Sequence, residues 1–190
     1  SGELRFVIGV SDEIRPEAKK ALMKLRKMGI KRFVMLTGDN QITAQAVATQ
    51  LGIDEVKAEL LPADKVKEVQ KLKDTGHIVA FVGDGINDSP SIALADIGIA
   101  MGSGTDVAVE TSDIVLMRSS FDELVHAFGL TRATIFNMRQ NIGISLATVG
   151  LLFVGLFAGF IFMASGMFVH EASILFVILN GLRLMKFRVK

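Results

Sequence analysis

The most constraining feature of the sequence is a run of 28 residues, Ile142 to Val169, that contains no charged side chain. About 20 consecutive apolar residues are enough for an α-helix to cross the hydrocarbon core of a bilayer. A second apolar segment, Phe168 to Leu182, runs on from the first and is interrupted by His170 and Glu171. The sequence therefore predicts an all-α transmembrane helical hairpin. We expect its turn at the small residues Ala164-Ser165-Gly166.

Basic residues lie on both outer sides of this hairpin, and none lies inside it. No Lys or Arg occurs between Ile142 and Leu182, and those that flank the hairpin are Arg132, Arg139, Arg183, Lys186, Arg188 and Lys190. Cytoplasmic loops carry the excess of Lys and Arg in membrane proteins. We therefore expect a multi-pass protein of the cell membrane, with the soluble part and both chain ends in the cytoplasm. The competing interpretation, two buried helices of a soluble domain, is disfavoured by the length of the apolar run.

The chain before the hairpin alternates short apolar runs with amphipathic stretches, from Leu4 to about Leu116. Strands are predicted at Phe6–Val10, Arg32–Leu36, Ile78–Val82, Ile97–Ala100 and Ile114–Leu116, and helices at Pro16–Met28, Ile42–Leu51 and Pro62–Thr75. Apolar strands separated by helices are typical of a parallel sheet covered on both faces. The sequence therefore predicts an α/β fold, a parallel sheet with helices on both faces, followed by the helical hairpin.

Composition excludes several functions. The chain has no Cys, so it has no disulfide, thiolate metal site or cysteine nucleophile, and any metal site must use oxygen or nitrogen ligands. Its 21 Lys and Arg against 20 Asp and Glu give a formal net charge of +1, which provides no field to attract a polyanion. We expect no nucleic acid partner.

Two polar loops follow predicted strands directly: Thr37-Gly38-Asp39-Asn40 and Gly83-Asp84-Gly85-Ile86-Asn87-Asp88. In a parallel α/β sheet the loops after the strands meet at one edge. The first loop offers a hydroxyl and backbone N–H groups near a helix N-terminus, which suits a phosphate. The second offers two carboxylates and an amide, which suit Mg²⁺. Lys65, at the start of the helix between the loops, could bring a cation to the same phosphate.

Each of these pieces alone has an ordinary explanation. A lone Thr-Gly-Asp is more often a turn with a helix cap, the second loop alone could be a Ca²⁺-like turn, and Lys65 alone could be a solvated helix residue. Together, in this order and at matching strand ends, TGDN, LLPADK and VGDGINDSPSIALADIGIAMGSGTDVAVETSDIVLM resemble the phosphorylation domain of P-type ATPases, which is haloacid-dehalogenase-like in fold. The resemblance covers essentially the whole chain, and Asp12, Arg15 and Pro16 match the family's hinge-proximal segment.

The resemblance implies a role for each matching residue. Thr37 and Lys65 would neutralise a phosphoryl group, with Gly38 and Asp39 in the same catalytic loop and Asp39 helping to close the site. Asp84 and Asp88 would hold Mg²⁺. Asn87 and Gly85 would support the metal and the phosphate. The GSGTD segment that begins at Gly102 lacks the pattern of a nucleotide-binding loop and would be structural.

The motif DKTGT, whose Asp is phosphorylated in these pumps, does not occur in the sequence. By the family's order, that strand, the domain that binds most of the ATP and the earlier membrane helices would precede Ser1. We therefore expect an incomplete sheet that lacks the nucleophile strand, and a chain that alone is inactive. The resemblance implies residues 1–126 as the C-terminal portion of the phosphorylation domain, the first few being the tail of the nucleotide-binding domain. Residues 127–140 would form a cytoplasmic connecting helix, and 141–190 two transmembrane helices.

Ionisable side chains at membrane depth are costly and mark function, so His170 and Glu171 are candidate ligands of a transported ion. The alternative is a pair near the outer headgroups, because His170 follows the expected turn by only a few residues. The segment His170-Glu171-Ala172-Ser173 resembles the last helix of heavy-metal pumps of the cobalt, zinc, iron or nickel branch. Ser173 would join the ligand set, although Ala172 and Ile174 depart from the branch pattern. Imidazole, carboxylate and hydroxyl suit Zn²⁺, Co²⁺, Fe²⁺ or Ni²⁺ better than Cu⁺.

The function predicted from the sequence is thus the C-terminal part of a P-type pump that couples Mg²⁺-dependent phosphoryl transfer to export of a divalent transition metal. Its partners would be that metal, the remainder of the pump polypeptide and membrane lipid. Two alternatives stay open. One is a membrane-tethered phosphatase that uses the same loops, and the other is a non-catalytic fragment that regulates or assembles with a pump.

Overall fold

The computed structural model describes residues 14–83, 86–102, 106–118 and 120–188. Two compact units divide after Leu124. In chain order the elements of the first unit are α1 (Ala18–Lys27), β1 (Val34–Leu36), α2 (Gln41–Leu51), β2 (Glu55–Lys57), α3 (Pro62–Asp74), β3 (Ala80–Gly83), a 3-10 turn (Ile86–Asp88), α4 (Ser89–Leu94), β4 (Ile97–Met101), α5 (Asp106–Thr111) and β5 (Ile114–Leu116). The predicted strand at Phe6–Val10 and the residue Asp12 lie outside the described ranges.

The strand pairs among the described residues of the first unit are parallel, as predicted, but they form two sheets. One sheet has the order β1-β2 and the other β3-β4-β5. Within the described ranges, β1 and β3 therefore each have a single strand partner, and neither pairs with the other. A single sheet would require a further strand between them to bond the backbone groups of both edges.

Three described elements of this unit escaped sequence prediction, namely β2, α4 and α5. β2 is only three residues long and has Glu55 and Lys57 at its ends, so it carries no apolar run. α4 and α5 are six residues each, too short for a helical period to stand out. Close packing fixes α4 against β4: a Cβ at Gly98 would lie 2.5 Å from the carbonyl oxygen of Ile92.

At three places an aspartate just before a strand forms a hydrogen bond to the backbone of the adjacent strand or of the residue that precedes it. Asp54, Asp96 and Asp113 precede β2, β4 and β5, and their carboxylates accept hydrogen bonds from the backbone N–H groups of Phe33 (2.8 Å), Val79 (2.8 Å) and Gly98 (2.7 Å). Each accepting carboxylate thus sets the register where a strand pair begins. The loops after β1 and β3 lie at the opposite ends of those strands.

These bonds give the first unit an acid-sensitive component of stability. A hydrogen bond from the Arg26 guanidinium, at 2.9 Å, and a second from the Phe33 N–H lower the pKa of Asp54 from its usual value. The Val79 N–H, followed by Lys73, lowers the pKa of Asp96. A depressed folded-state pKa contributes stability above the unfolded value, about 3.9, and this contribution is lost as the pH falls through the lower folded value.

We therefore expect Asp54→Asn to lower the denaturant midpoint of the first unit at neutral pH. The difference from the unsubstituted chain should shrink as the pH falls below about 4, because the Asp54 carboxylate then becomes protonated and loses its charged hydrogen bonds. Urea unfolding in detergent solution, followed by circular dichroism at several pH values, measures it. A pH-independent difference would show that the carboxylate charge is irrelevant.

The second unit is a pair of long apolar helices, α6 (Phe121–Phe157), which begins just before the division, and α7 (Met163–Leu182). A 3-10 turn (Arg183–Lys186) follows. Both helices are long and apolar enough to cross a membrane, and their apolar stretches are almost entirely exposed. The predicted connecting segment 127–140 lies within α6, which continues without a break.

The predicted turn at Ala164–Gly166 is wrong, because those residues lie inside α7. The chain reverses at residues 158–162 instead. Gly159, with φ +76°, takes the left-handed conformation that ends a helix, and the N–H groups of Phe160 and Ile161 bond back to the carbonyl of Gly155. At the other side, the Ser165 hydroxyl accepts a hydrogen bond from the Phe162 N–H at 3.0 Å and starts α7. Ser165 is therefore the third residue of α7, and its hydroxyl bonds to the backbone of the N-cap residue Phe162.

Candidate functional site

The loop after β1 is a compact turn held by its own side chains. The Thr37 hydroxyl donates to the Asp39 carboxylate at 2.8 Å and accepts from the Asp39 N–H at 3.1 Å. Asn40 caps α2, since its side-chain oxygen accepts from the Thr43 N–H at 2.9 Å. Thr37 is half-buried, whereas Gly38 and Asp39 are exposed. The loop thus presents a hydroxyl, a carboxylate and backbone N–H groups near the start of a helix.

Backbone hydrogen bonds tie this loop to the segment that leads into α3. The Leu60 N–H donates to the Thr37 carbonyl at 3.0 Å, and the Glu59 N–H donates to the Asp39 carbonyl at 2.8 Å. Glu59 has φ 57°, a left-handed conformation that costs a non-glycine residue energy and is found at functional sites. A Cβ at Gly38 would lie 3.4 Å from the Leu60 carbonyl oxygen, which is an ordinary van der Waals contact.

A largely buried ion pair continues the connection to the loop after β3. Lys65, in the first turn of α3, places Nζ 2.7 Å from Asp88 Oδ1, and the two side chains are 17% and 16% exposed. Removing one partner of a partly buried pair leaves the other charge without compensation and destabilises the fold. The pair therefore holds both a cation and a carboxylate at the end of β3.

The structure thus brings together, through an unbroken series of contacts, most of the residues expected to handle phosphate. Thr37, Gly38 and Asp39 contact the segment before α3, and Lys65 on α3 contacts Asp88. Asn87 lies beside Asp88 in the 3-10 turn and is exposed. Asp84 and Gly85, also expected there, lie outside the described ranges.

Gly83 is a site residue that the sequence reasoning did not single out. A Cβ on it would lie 2.7 Å from the Cβ and 3.0 Å from the Oδ2 of Asp88. The Asp88 carboxylate therefore lies directly over the last residue of β3, and only glycine leaves it room. The adjacent Asp-Gly made Gly85 the more obvious turn residue, and no pattern in the sequence indicates the close approach at Gly83.

We expect Gly83→Ala in the complete protein to displace the Asp88 carboxylate and to lower phosphoryl-transfer activity by about 10²-fold, the cost of a misplacement of about 1 Å. Gly76→Ala, at a position where a Cβ meets nothing within 4 Å, is the comparison for a glycine substitution with free space. Because Gly76 has a positive φ, alanine there strains the backbone, but this strain is not at the site. Equal activity loss in the two variants would contradict the steric argument.

The donor chemistry at this edge suits Mg²⁺. Asp88 has one oxygen on Lys65 and its other beside Gly83, and the neighbouring Asn87 adds an amide oxygen. Mg²⁺ is bound in proteins by one or two carboxylates with waters and phosphate oxygens, rather than by a dedicated cage. Among the described residues there is no group of three or more His, Asp or Glu side chains that could hold a metal. Asp88 and Asn87 therefore offer oxygen ligands of the kind that Mg²⁺ takes together with waters and a phosphate.

In the second unit, the expected ligands of a transported ion are near one another in sequence but differ in exposure. His170 and Glu171 are exposed, whereas Ser173 is half-buried. The Ser173 hydroxyl donates to the His170 carbonyl at 2.7 Å. Because α7 begins at Met163, His170 is about 10 Å along the helix at 1.5 Å per residue. This distance from the turn weakens the alternative of a pair at the outer headgroups.

Comparison with known proteins is consistent with this arrangement. A model of the haloacid dehalogenase-like hydrolases matches residues 1–96. The chain is 48% identical over 179 residues to a zinc-transporting ATPase of Bacillus subtilis (strain 168), covering 94% of the chain and 28% of the relative. It is 45% identical over 190 residues to a manganese-exporting P-type ATPase of Mycobacterium leprae, covering 99% of the chain and 26% of that relative. The chain thus spans about a quarter of the length of these curated relatives.

The fold has a close counterpart among solved structures. The crystal structure of a zinc-transporting PIB-type ATPase in the E2.Pi state matches with a TM-score of 0.83 and 44% sequence identity. The match covers 92% of this chain and 28% of that one. The similarity therefore includes the α/β unit together with most of the helical hairpin.

Proposed function

We propose, since the chain belongs to the haloacid dehalogenase-like hydrolase family, that it forms part of a P-type ATPase that exports a divalent transition metal. It would supply the loops that handle phosphate and Mg²⁺ and the C-terminal transmembrane hairpin. The observation that carries the proposal is the series of contacts from Thr37 through Leu60 to Lys65 and Asp88. Phosphoryl transfer needs such converging donors and cations, because its catalysis is mostly positioning and electrostatic stabilisation.

Each loop residue has a role in this proposal. The Thr37 hydroxyl and the Lys65 ammonium donate to the phosphoryl oxygens, and Gly38 allows the backbone to approach them. The Asp39 N–H, which donates to Thr37 Oγ1 at 3.1 Å, holds that oxygen in place, and the hydroxyl hydrogen, which bonds to the Asp39 carboxylate in the structure, would turn to the phosphoryl oxygen. Lys65 is itself held by Asp88, so the cation does not have to be ordered when phosphate arrives. ATP would be bound mainly by parts of the pump beyond this chain.

Asp84 and Asp88 would hold Mg²⁺, with Asn87 and Gly85 supporting the metal and the phosphate. When bound, Mg²⁺ neutralises charge that develops on the phosphoryl group. The acceptor aspartate would be carried by a strand inserted between β1 and β3. The separation of the described strands into two sheets at that point supports this location.

In the membrane part we propose His170, Glu171 and Ser173 as contacts of the transported ion, which would be Zn²⁺, Co²⁺, Fe²⁺ or Ni²⁺. Relatives named for zinc and manganese support a divalent ion. The basic residues that flank the hairpin, among them Arg139 and Arg183, support cytoplasmic chain ends in the cell membrane, with lipid around the exposed apolar surface.

The experiment is an ATPase assay of the complete purified protein with each divalent ion in turn. Mg²⁺-dependent hydrolysis that one of these metals stimulates supports the pump. Hydrolysis of a small aryl phosphate without metal stimulation, lost in Asp84→Ala, would instead support the phosphatase. Absence of both activities would favour a regulatory or assembly role.

A further inference from the structure

Three asparagines join α6 to α7 in a closed ring of hydrogen bonds. Asn180 Nδ2 donates to Asn141 Oδ1 at 2.8 Å, and Asn141 Nδ2 donates to Asn137 Oδ1 at 3.1 Å. Asn137 Nδ2 donates to the backbone carbonyl of Asn180 at 2.9 Å and so closes the ring. Arg183 adds a bond from its guanidinium to Asn180 Oδ1, also at 2.9 Å. Asn137, Asn141 and Asn180 thus close the ring between the two helices.

The ring lies in the seam between two helices that are otherwise largely apolar. Asn137 is 8% exposed, and Asn141 and Asn180 are half-buried. The half-buried positions of α7, at a helical spacing, are Gly166, Ser173, Val177, Asn180 and Gly181. Those in the membrane-spanning part of α6 are Asn141, Ile144, Thr148, Leu152 and Gly155. Apolar contacts with lipid favour no particular rotation of such a helix about its axis. Hydrogen bonds between amide side chains are directional and therefore favour one rotation.

This geometry determines which side of α7 meets α6. Ser173 and Asn180 are seven residues apart, or about two helical turns, so they share the α6-facing side. His170 and Glu171 lie on exposed positions of the same helix. A rotation of α7 by one residue, about 100°, would break both bonds between the helices and exchange these sides.

We propose that Asn137, Asn141 and Asn180 are positioning residues of the transport site. Their ring fixes the rotation of α7 and thereby the direction in which His170, Glu171 and Ser173 are presented. The proposal rests on the proposed function for its consequence in transport, but the rotation itself can be tested without pump activity.

The absence of Cys from the chain makes the rotation measurable, since a single introduced thiol is unambiguous. Ser173→Cys reports the α6-facing side and Ala172→Cys the exposed side. With the ring intact, maleimide labelling in lipid nanodiscs should be at least about threefold slower at position 173 than at 172, a factor that corresponds to an average interhelical hydrogen bond. Asn141→Leu should bring the two rates together, and Asn141→Asp, which keeps the acceptor for Asn180, should restore part of the difference.

Thr148→Val is the matched control. Thr148 lies in the same seam of α6, but its hydroxyl bonds to the Ile144 carbonyl of its own helix at 2.9 Å. We expect it to leave the labelling ratio unchanged. An unchanged ratio in Asn141→Leu, or an equal change in Thr148→Val, would overturn the proposal.

A second measurement, made on the complete protein, tests whether the rotation of α7 affects the response to metal. Asn141→Leu should raise the metal concentration for half-maximal ATPase stimulation by about tenfold and leave phosphorylation by inorganic phosphate intact, whereas Thr148→Val should change neither. An altered labelling ratio with an unchanged metal response would overturn the transport role. Absence of ATPase activity in the unsubstituted protein would contradict the proposed function, while the labelling ratio would still decide the positioning role.

Discussion

Lys65→Met in the complete protein is expected to lower the ATPase rate by about 10²–10³-fold, the range found when one preorganised donor to a developing charge is removed. Lys65 is a cation of the proposed phosphate site, with Nζ 2.7 Å from Asp88 Oδ1. The substitution removes that charge and leaves the buried Asp88 carboxylate unpaired. Steady-state ATPase and phosphorylation by inorganic phosphate, both with saturating Mg²⁺, measure the effect.

Lys73→Met is the control for Lys65→Met. It removes another ion-paired lysine of α3 without removing a charge from the proposed site. Lys73 is on the same helix, bonds to the Leu94 carbonyl at 2.6 Å and pairs with Asp96 at 3.1 Å, near the strand ends opposite the loops. We expect it to lower thermal stability with an ATPase loss of less than about tenfold. Comparable ATPase losses in the two variants, once each is shown to be folded, would remove Lys65 from the phosphate site.

His170→Ala is expected to reduce ATPase activity to its level without added metal. Imidazole is a strong ligand for Zn²⁺, Co²⁺ and Ni²⁺, and the neighbouring Glu171 and Ser173 cannot replace it. Phosphorylation by inorganic phosphate should persist, because the loops after β1 and β3 are unchanged. Titration of ATPase activity with each metal measures the effect.

Val169→Ala, an exposed apolar neighbour on α7, is the control for substitution near His170. It should retain the metal response. A normal metal response in His170→Ala would exclude His170 as a ligand, and loss of both metal response and phosphorylation would indicate that the variant is misfolded.

The sequence predicted those parts of the molecule whose signals are local. Strands β1, β3, β4 and β5 coincide with apolar runs, and β5 matches its predicted bounds at Ile114–Leu116. The N-cap at Asn40 and the Pro at the start of α3 mark helices by their own chemistry. Thr37 and Asp39 could likewise be found because each loop follows a strand.

Features that depend on tertiary contact could not be predicted in this way. The left-handed Glu59 has no sequence signal, since its conformation is imposed by bonds to the loop after β1. Gly83 is required by the side chain of Asp88, five residues later. The hairpin turn was misplaced because the sequence offers a glycine at both Gly159 and Gly166, and either could end a helix. The hydrogen bond from the Phe162 N–H to the Ser165 hydroxyl shows that α7 has already begun before Gly166.

The edges of β1 and β3 that have no partner among the described strands are where the proposed acceptor strand would lie. β1 ends at Leu36, directly before Thr37, and β3 ends at Gly83, beneath Asp88. A strand inserted between them would deliver its own C-terminal residue between a hydroxyl and a carboxylate–ammonium pair. The loops and the gap are therefore two descriptions of the same proposed phosphoryl site.

Acid-stable incorporation of ³²P from ATP tests this account most directly. The complete protein should form a Mg²⁺-dependent phosphoenzyme, and Asp88→Asn should reduce its amount, whereas the 190-residue chain alone should form none because it lacks the acceptor aspartate. Incorporation into the isolated chain, or its absence from the complete protein in the presence of Mg²⁺ and each candidate metal, would contradict the account.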